Sequence, residues 1–200
     1  MNLVIFHYHL NRGGVTRVIE NHLRALATLE LEARPARVLI VYGGRAADWP
    51  SEIQAELPFE IQLAVVPELE YDSRVSESQA AAKARESDLL RAVDACLKSN
   101  NCSINASILH VHNHSLGKNA AWPRVLANLA RAGWKLLLQL HDFAEDLRPQ
   151  NYRHLLAHHG DLERLHESLY PQGNQIHYAA LNRRDADLLL AAGLAAERMQ

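Results

Sequence analysis

Two cysteines in 200 residues exclude most of what cysteine-rich chains do. Cys96 and Cys102 are too few for a disulfide scaffold, and their spacing matches no zinc-ligand pattern, so they fit a chain kept in a reducing cytoplasm. An excess of positive charge is also lacking. With 21 Lys+Arg against 23 Asp+Glu and a formal net charge of -2, there is no global field to attract nucleic acid, and any anion must be held locally. Long apolar runs are missing too: none reaches the roughly 20 residues a membrane span needs. The opening MNLVIFHYHLNRGG has no basic leader, and His7 and His9 interrupt its apolar stretch. A soluble chain is expected, with peripheral attachment to a membrane as the open alternative.

What is present is a 48% hydrophobic chain of a length suited to one full-sized domain. Residues 2–8 (NLVIFHY) are apolar and partly β-branched and break at Asn11-Arg12-Gly13-Gly14, which marks a first strand. Val15, Val18, Ile19, Leu23 and Leu26 then recur at helical spacing over 15–29. Further strands are expected at 36–42, 59–66, 107–112, 134–140 and 175–181. Between and after them, helices are expected at 77–98, about 122–131, within 143–160, at 161–169 and at 182–192, the last capped by Gly193, with an exposed loop over 68–76. Strands apolar on both faces that alternate with helices imply an α/β domain. The expected form is Rossmann-like and doubly wound, a mostly parallel sheet with helices on both faces.

In such sheets ligands bind beyond the carboxyl ends of the strands, where the strand order reverses. The polar residues obey that rule: His7 and His9 close the first strand, His112, Asn113 and His114 the fourth, His141 and Asp142 the fifth. Any one of these histidines alone is explained as an interior ring with a hydrogen-bond partner. Polar ends on three strands together point to a ligand crevice instead. For His22, His154, His158, His159 and His166, which fall in helices, a solvated helix face is the expectation.

The turn Asn11-Arg12-Gly13-Gly14-Val15-Thr16 joins the first strand to a helix N-terminus, whose free N–H groups and dipole attract a phosphate. It matches neither G-x-G-x-x-G nor the Walker A pattern, and the second strand ends in Tyr42-Gly43-Gly44 without the acidic residue a dinucleotide ribose would want. Nicotinamide cofactors and P-loop chemistry are thereby disfavoured.

Four stretches in this order, HYHLNRGGVTRVIENHL, LHVHNHSLGKN, LLLQLHDFAED and YAALNRRDADLLLAAGL, resemble the N-terminal domain of GT-B-fold glycosyltransferases of the retaining family 4 type over essentially the whole chain. The resemblance implies that Gly13, Gly14 and Val15 lie against the diphosphate of a nucleotide-sugar donor. It places His141 in the active site, where its imidazole orients the acceptor or takes its proton. It also implies that His9, Asn11, Arg12, His112, Asn113, His114, Asp142, Glu145 and Arg148 face a sugar, lipid or small-molecule acceptor. No metal or other cofactor is expected. The family's second domain, which carries most nucleotide-sugar contacts and a paired-glutamate motif, has no counterpart here and would have to be supplied in cis or in trans. Glu52, Glu60 and Glu68 fall at the spacing of that pair, but Pro58 and a strand intervene.

The rival reading from another chemical class is a metal-dependent hydrolase that binds zinc or manganese through His7-x-His9 and further strand-end histidines. A barrel of that kind takes about 250 residues and eight βα units, more than this chain offers. A third reading is a non-catalytic module that binds a glycan or nucleotide.

Overall fold

The computed structural model describes residues 1–73 and 78–200. Residues 74–77, which the sequence divides between the exposed loop and the start of a helix, lie outside the described residues. The six expected strands all form: β1 Asn2–Phe6, β2 Arg37–Tyr42, β3 Glu60–Val65, β4 Ser107–His112, β5 Lys135–Leu140 and β6 Ile176–Ala180. They join in one sheet of order β3-β2-β1-β4-β5-β6, every pair of neighbours parallel. The chain steps outward from β1 in one direction and, after β3, crosses back to β4. The reversal therefore falls between β1 and β4.

Parallel neighbours require crossover connections. These are α1 (Gly14–Ala27), α3 (Gln79–Ser99), α4 (Trp122–Arg131) and the pair α5 (Pro149–His159) and α6 (Leu162–Leu169). The short helix α2 (Ile53–Glu56) sits between β2 and β3, and α7 (Arg183–Ala191) comes after β6. Side chains set the starts: Ser78, Asp161 and Asn182 accept from the N–H groups of Ala81, Arg164 and Asp185, capping α3, α6 and α7. Pro123 and Pro149 occupy first turns, where a missing N–H costs nothing. Gly193, at φ 97, ends α7 as expected.

Alternate residues of each strand face opposite sides of the sheet. On one side Val4, Phe6, Leu109, Val111, Leu136 and Leu138 pack against Leu89, Val93 and Leu97 of α3, Trp122 and Val125 of α4, and Leu189 of α7. On the other, Leu3, Ile5, Val38 and Ile40 pack against Ile19 and Leu23 of α1 and Ile53 of α2. Each of these large side chains, once buried, contributes about 1.5–3 kcal/mol. The second side changes character at β4 and β5, where His110 and His112 of β4 and Gln139 of β5 are buried in place of aliphatic residues. Near the amino ends of β4–β6, Ile108, Leu137, Gln175 and His177 line an open groove of about 700 Å³.

Three details depart from the sequence reading. β1 ends at Phe6, although the His7 N–H still donates to the Val41 carbonyl and the Tyr8 carbonyl accepts from the Gly43 N–H before the chain bends at Tyr8. β3 is not covered on both faces: as an edge strand it leaves Leu63 and Val65 44% and 52% exposed. His22, His154, His158 and His159 do not sit on solvated faces. His22 stacks on His110, His154 is bonded to Asp72, and His158 and His159 are buried. Only His166 is exposed as expected.

Candidate functional site

The carboxyl ends of β1, β4 and β5 lie side by side, and the residues immediately beyond them cluster at the order reversal. The residue after β4, Asn113, adopts a left-handed backbone at φ 61, a conformation that Asn tolerates better than most side chains. Its Oδ1 accepts from the backbone N–H groups of His141 and Asp142, at 3.2 and 3.1 Å, and its Nδ2 reaches Oδ2 of Asp142 at 3.5 Å. Its carbonyl accepts from the hydroxyl of Tyr8 at 3.1 Å. Asn113 thus ties the ends of all three strands, through its side-chain amide to β5 and its main-chain carbonyl to Tyr8. Asp142 is further held by Arg148, at 2.9 Å.

Around this hub the imidazoles gather. His112 and His141 share a hydrogen bond of 2.9 Å between Nδ1 and Nε2. The ring of His7 stands 6.3 Å from that of His112 and 5.3 Å from that of His9. His9 in turn is bonded through Nε2 to the hydroxyl of Tyr71 at 3.0 Å, and Arg45 and Lys118 flank the Tyr71 ring. The segment around Tyr71 can come so close because Gly43 has no side chain: a Cβ there would meet the backbone of Glu70 and of Tyr8 at 2.8 Å.

Burial is the largest influence on these rings and holds them neutral. It takes His7 down to about 3 and His112 well below the ordinary imidazole value, with neighbouring imidazoles lowering both further. His141 and His9 are also lowered by burial. The Asp142 carboxylate partly offsets this for His141, and the Arg45 guanidinium adds to it for His9. At neutral pH His141 therefore carries a lone pair that can take a proton.

The turn after β1 is anchored from both sides. The Thr16 hydroxyl donates to the carbonyl of Asn11 at 2.7 Å, Oδ1 of Asn11 accepts from the N–H of Ala47 at 3.1 Å, and the N–H of Arg12 donates to Asp48 at 3.0 Å. Gly13 is fully extended, and a Cβ on it would meet only the Asn11 carbonyl at 3.8 Å; one on Gly14 would meet nothing within 4 Å. The fold itself does not demand glycine at either place. Beside the turn is a polar cavity of about 450 Å³ lined by Arg12, Gly13, Thr16, Arg17, Asp48 and Glu52 among others, with none of the strand-end histidines in its wall.

The sequence-predicted residues thus fall into separate places. His9, His112, Asn113, His141, Asp142 and Arg148 gather at the strand ends, while Arg12, Gly13 and Gly14 belong to the turn, with Val15 behind them packed on the α1-side core. Glu145 accepts from the Tyr170 hydroxyl at 3.1 Å and lines a different cavity of about 610 Å³ with Phe143, Asp146, Arg184 and Leu188. His114 does not reach the crevice: it is wholly buried and its Nε2–H donates to the Leu169 carbonyl at 2.7 Å. Sequence reasoning passed over His110, Gln139 and Tyr71. His110-x-His112 within one strand was the available signal, since residues two apart share a face.

No family model matches the chain. It is 27% identical to mannosylglucosyl-3-phosphoglycerate synthase of Petrotoga mobilis over 198 residues, which cover 98% of this chain and 35% of that protein. The chain thus spans about a third of the length of the curated relative it matches, and is tied distantly to a glycosyltransferase. Among the described residues no helix is long and apolar enough to cross a membrane.

Proposed function

We propose that this chain is the acceptor-side domain of a retaining glycosyltransferase of the GT-B type, which moves a sugar from a nucleotide-sugar donor to a sugar, lipid or small-molecule acceptor. The observation that carries the reading is the set of polar strand ends converging at the β1–β4 reversal, next to a glycine turn whose glycines the fold does not require. The similarity to the synthase supports it along nearly the whole chain. A second domain, in cis or in trans, would complete the donor site. The protein is taken to act in the cytoplasm, free or attached at a membrane surface.

In this reading the donor diphosphate lies against Gly13, Gly14 and Val15 at the N-terminus of α1, where free N–H groups and the helix dipole offset its charge. The acceptor occupies the crevice between His9, Asn11 and Arg12 on one side and His112, Asn113, Asp142 and Arg148 on the other, with Glu145 further along the loop. The acceptor oxygen bonds to the anomeric carbon as the bond from that carbon to the diphosphate breaks. The electron pair leaves with the diphosphate, and the acceptor proton goes to the neutral His141 or to the departing phosphate. No metal or cofactor is assigned a part in the transfer.

The test is transfer by the complete protein across a panel of nucleotide sugars and acceptors, among them a glycosylated phosphoglycerate in view of the relative's name. His141→Ala should lower turnover by about 10²–10⁴-fold with an unchanged circular dichroism spectrum. Wild-type turnover in that variant removes His141 from the mechanism, and no transfer or donor binding by the complete protein removes the transferase reading.

A further inference from the structure

The side of the sheet that α1 crosses carries an imidazole cluster of which the transfer chemistry uses only His112, at its edge. His110 and His112 lie on the same face of β4 with their rings 4.4 Å apart. His22, from α1, brings its ring to 5.5 Å from that of His110 and 5.9 Å from that of His112. One ring nitrogen from each of the three lies within 4.8 Å of the other two.

Hydrogen bonds decide which nitrogens are free to bind. Nε2 of His110 is 2.8 Å from Oε1 of Gln139, an oxygen that only accepts, so Nε2 carries the proton and Nδ1 the lone pair. Nδ1 of His112 is engaged with His141, and its Nε2 is buried with no hydrogen-bond partner. When Nδ1 donates to His141, that buried Nε2 is a bare lone pair. Burial keeps all three rings neutral, the form that ligates metal.

We propose that His22, His110 and His112 form a binding site for a divalent late first-row transition-metal ion, zinc above all, with water in the remaining position. Gln139 and His141 are the outer hydrogen-bond partners that fix the two strand histidines for ligation. Zinc–nitrogen bonds of about 2.0–2.1 Å place ligand nitrogens roughly 3.4 Å apart, so nitrogens lying within 4.8 Å of one another close up by at most about 1.4 Å. The half-buried His22 is the one with room to swing. Three nitrogens without a carboxylate do not suit magnesium or calcium, which take oxygen ligands. The ion would pin α1 to β4; with it bound, the His112 N–H occupies the lone pair of His141, so the acceptor proton of the proposed transfer goes to the departing phosphate, and the metal site itself stands whether or not that transferase reading holds.

The test is titration of the chelator-treated protein with zinc, cobalt and magnesium. One equivalent of zinc is expected to bind and, at a hundredfold excess over its Kd, to raise the melting temperature by about 5–10 °C. Cobalt should give the visible absorption of a four-coordinate site, and magnesium should have no effect. His22→Ala should weaken zinc binding at least about 100-fold, whereas His166→Ala and Cys102→Ser should retain it. If His22→Ala loses its circular dichroism spectrum, His22→Gln replaces it. No zinc bound to the wild type, zinc binding unchanged without His22, or zinc binding lost in Cys102→Ser overturns the proposal.

Discussion

Acidification should unfold this protein at a pH where most α/β domains are intact. Burial lowers His7 to about 3 and His110, His114 and His159 to about 4, and takes His112 well below the ordinary value. In the unfolded chain each returns to about 6.5. A folded value below the unfolded one means that stability is at its full level above about pH 6.5. It is lost as pH falls toward the folded values, because only the unfolded chain takes up protons in that interval. At pH 5 the loss is about 2 kcal/mol for each such group. It depends on the folded values lying below 5, not on where below. The four groups at about 3 and about 4 together cost about 8 kcal/mol, with His112 adding in the same direction, against a total stability of about 5–15 kcal/mol for a domain. The lowered carboxyls of Asp72 and Glu86 steepen the loss only further down, below their ordinary range. Urea unfolding followed by tryptophan fluorescence and circular dichroism from pH 8 to 4, with chelator present, should give a flat midpoint above pH 7. The midpoint should then fall steeply, with native signal lost without urea at about pH 5 and about four or more protons taken up per unfolding event. A urea midpoint at pH 4.5 equal to that at pH 7.5 would refute the assignment of these histidines as buried and neutral.

Two glycine substitutions should separate ligand requirement from fold requirement. Gly14→Ala leaves the melting temperature unchanged or raises it, by up to about 1 kcal/mol of helix propensity, while it weakens nucleotide-sugar binding by the complete protein. Gly43→Ala, whose Cβ would sit 2.8 Å from the backbone of Glu70 and Tyr8, destabilises by about 1–3 kcal/mol or more. Equal melting temperatures for the two would contradict the packing. Asn113→Ala removes the acceptor for two backbone N–H groups and places alanine at φ 61, so a loss of about 2–4 kcal/mol is expected in urea. A loss below about 0.5 kcal/mol would show that the hub does not hold the strand ends. Asp72→Ala takes the carboxylate away from His154, from Arg85 and from the Ala120 N–H, and should cost about 3–5 kcal/mol in the same assay.

The strands were legible because a buried parallel strand is written as a short apolar run between turn residues, and VLIV or LLLQL admits little else in a domain of this length. Their ends were less so. Tyr8 continues the buried run of Phe6, and only the tertiary bond from its hydroxyl to Asn113 shows that its side chain ties the strand end to β4. The helical histidines were misread for a related reason. His158 and His159 look like a polar pair before Gly160, and nothing local says that Glu86 and Arg85 arrive from α3, more than seventy residues earlier, to hold His158. His22 was misread in the same way, because its partners on β4 are distant in sequence. Polar residues at strand ends announce a crevice because topology gathers all such ends at one place. Polar residues on helices and in strand interiors announce nothing until their partners are known. The alternation rule recovers part of this loss. Applied to β4 as well as to β1, it puts His110 under His112 on the α1 side, and a buried pair of imidazoles on one face of an otherwise aliphatic sheet already calls for a third group to satisfy them.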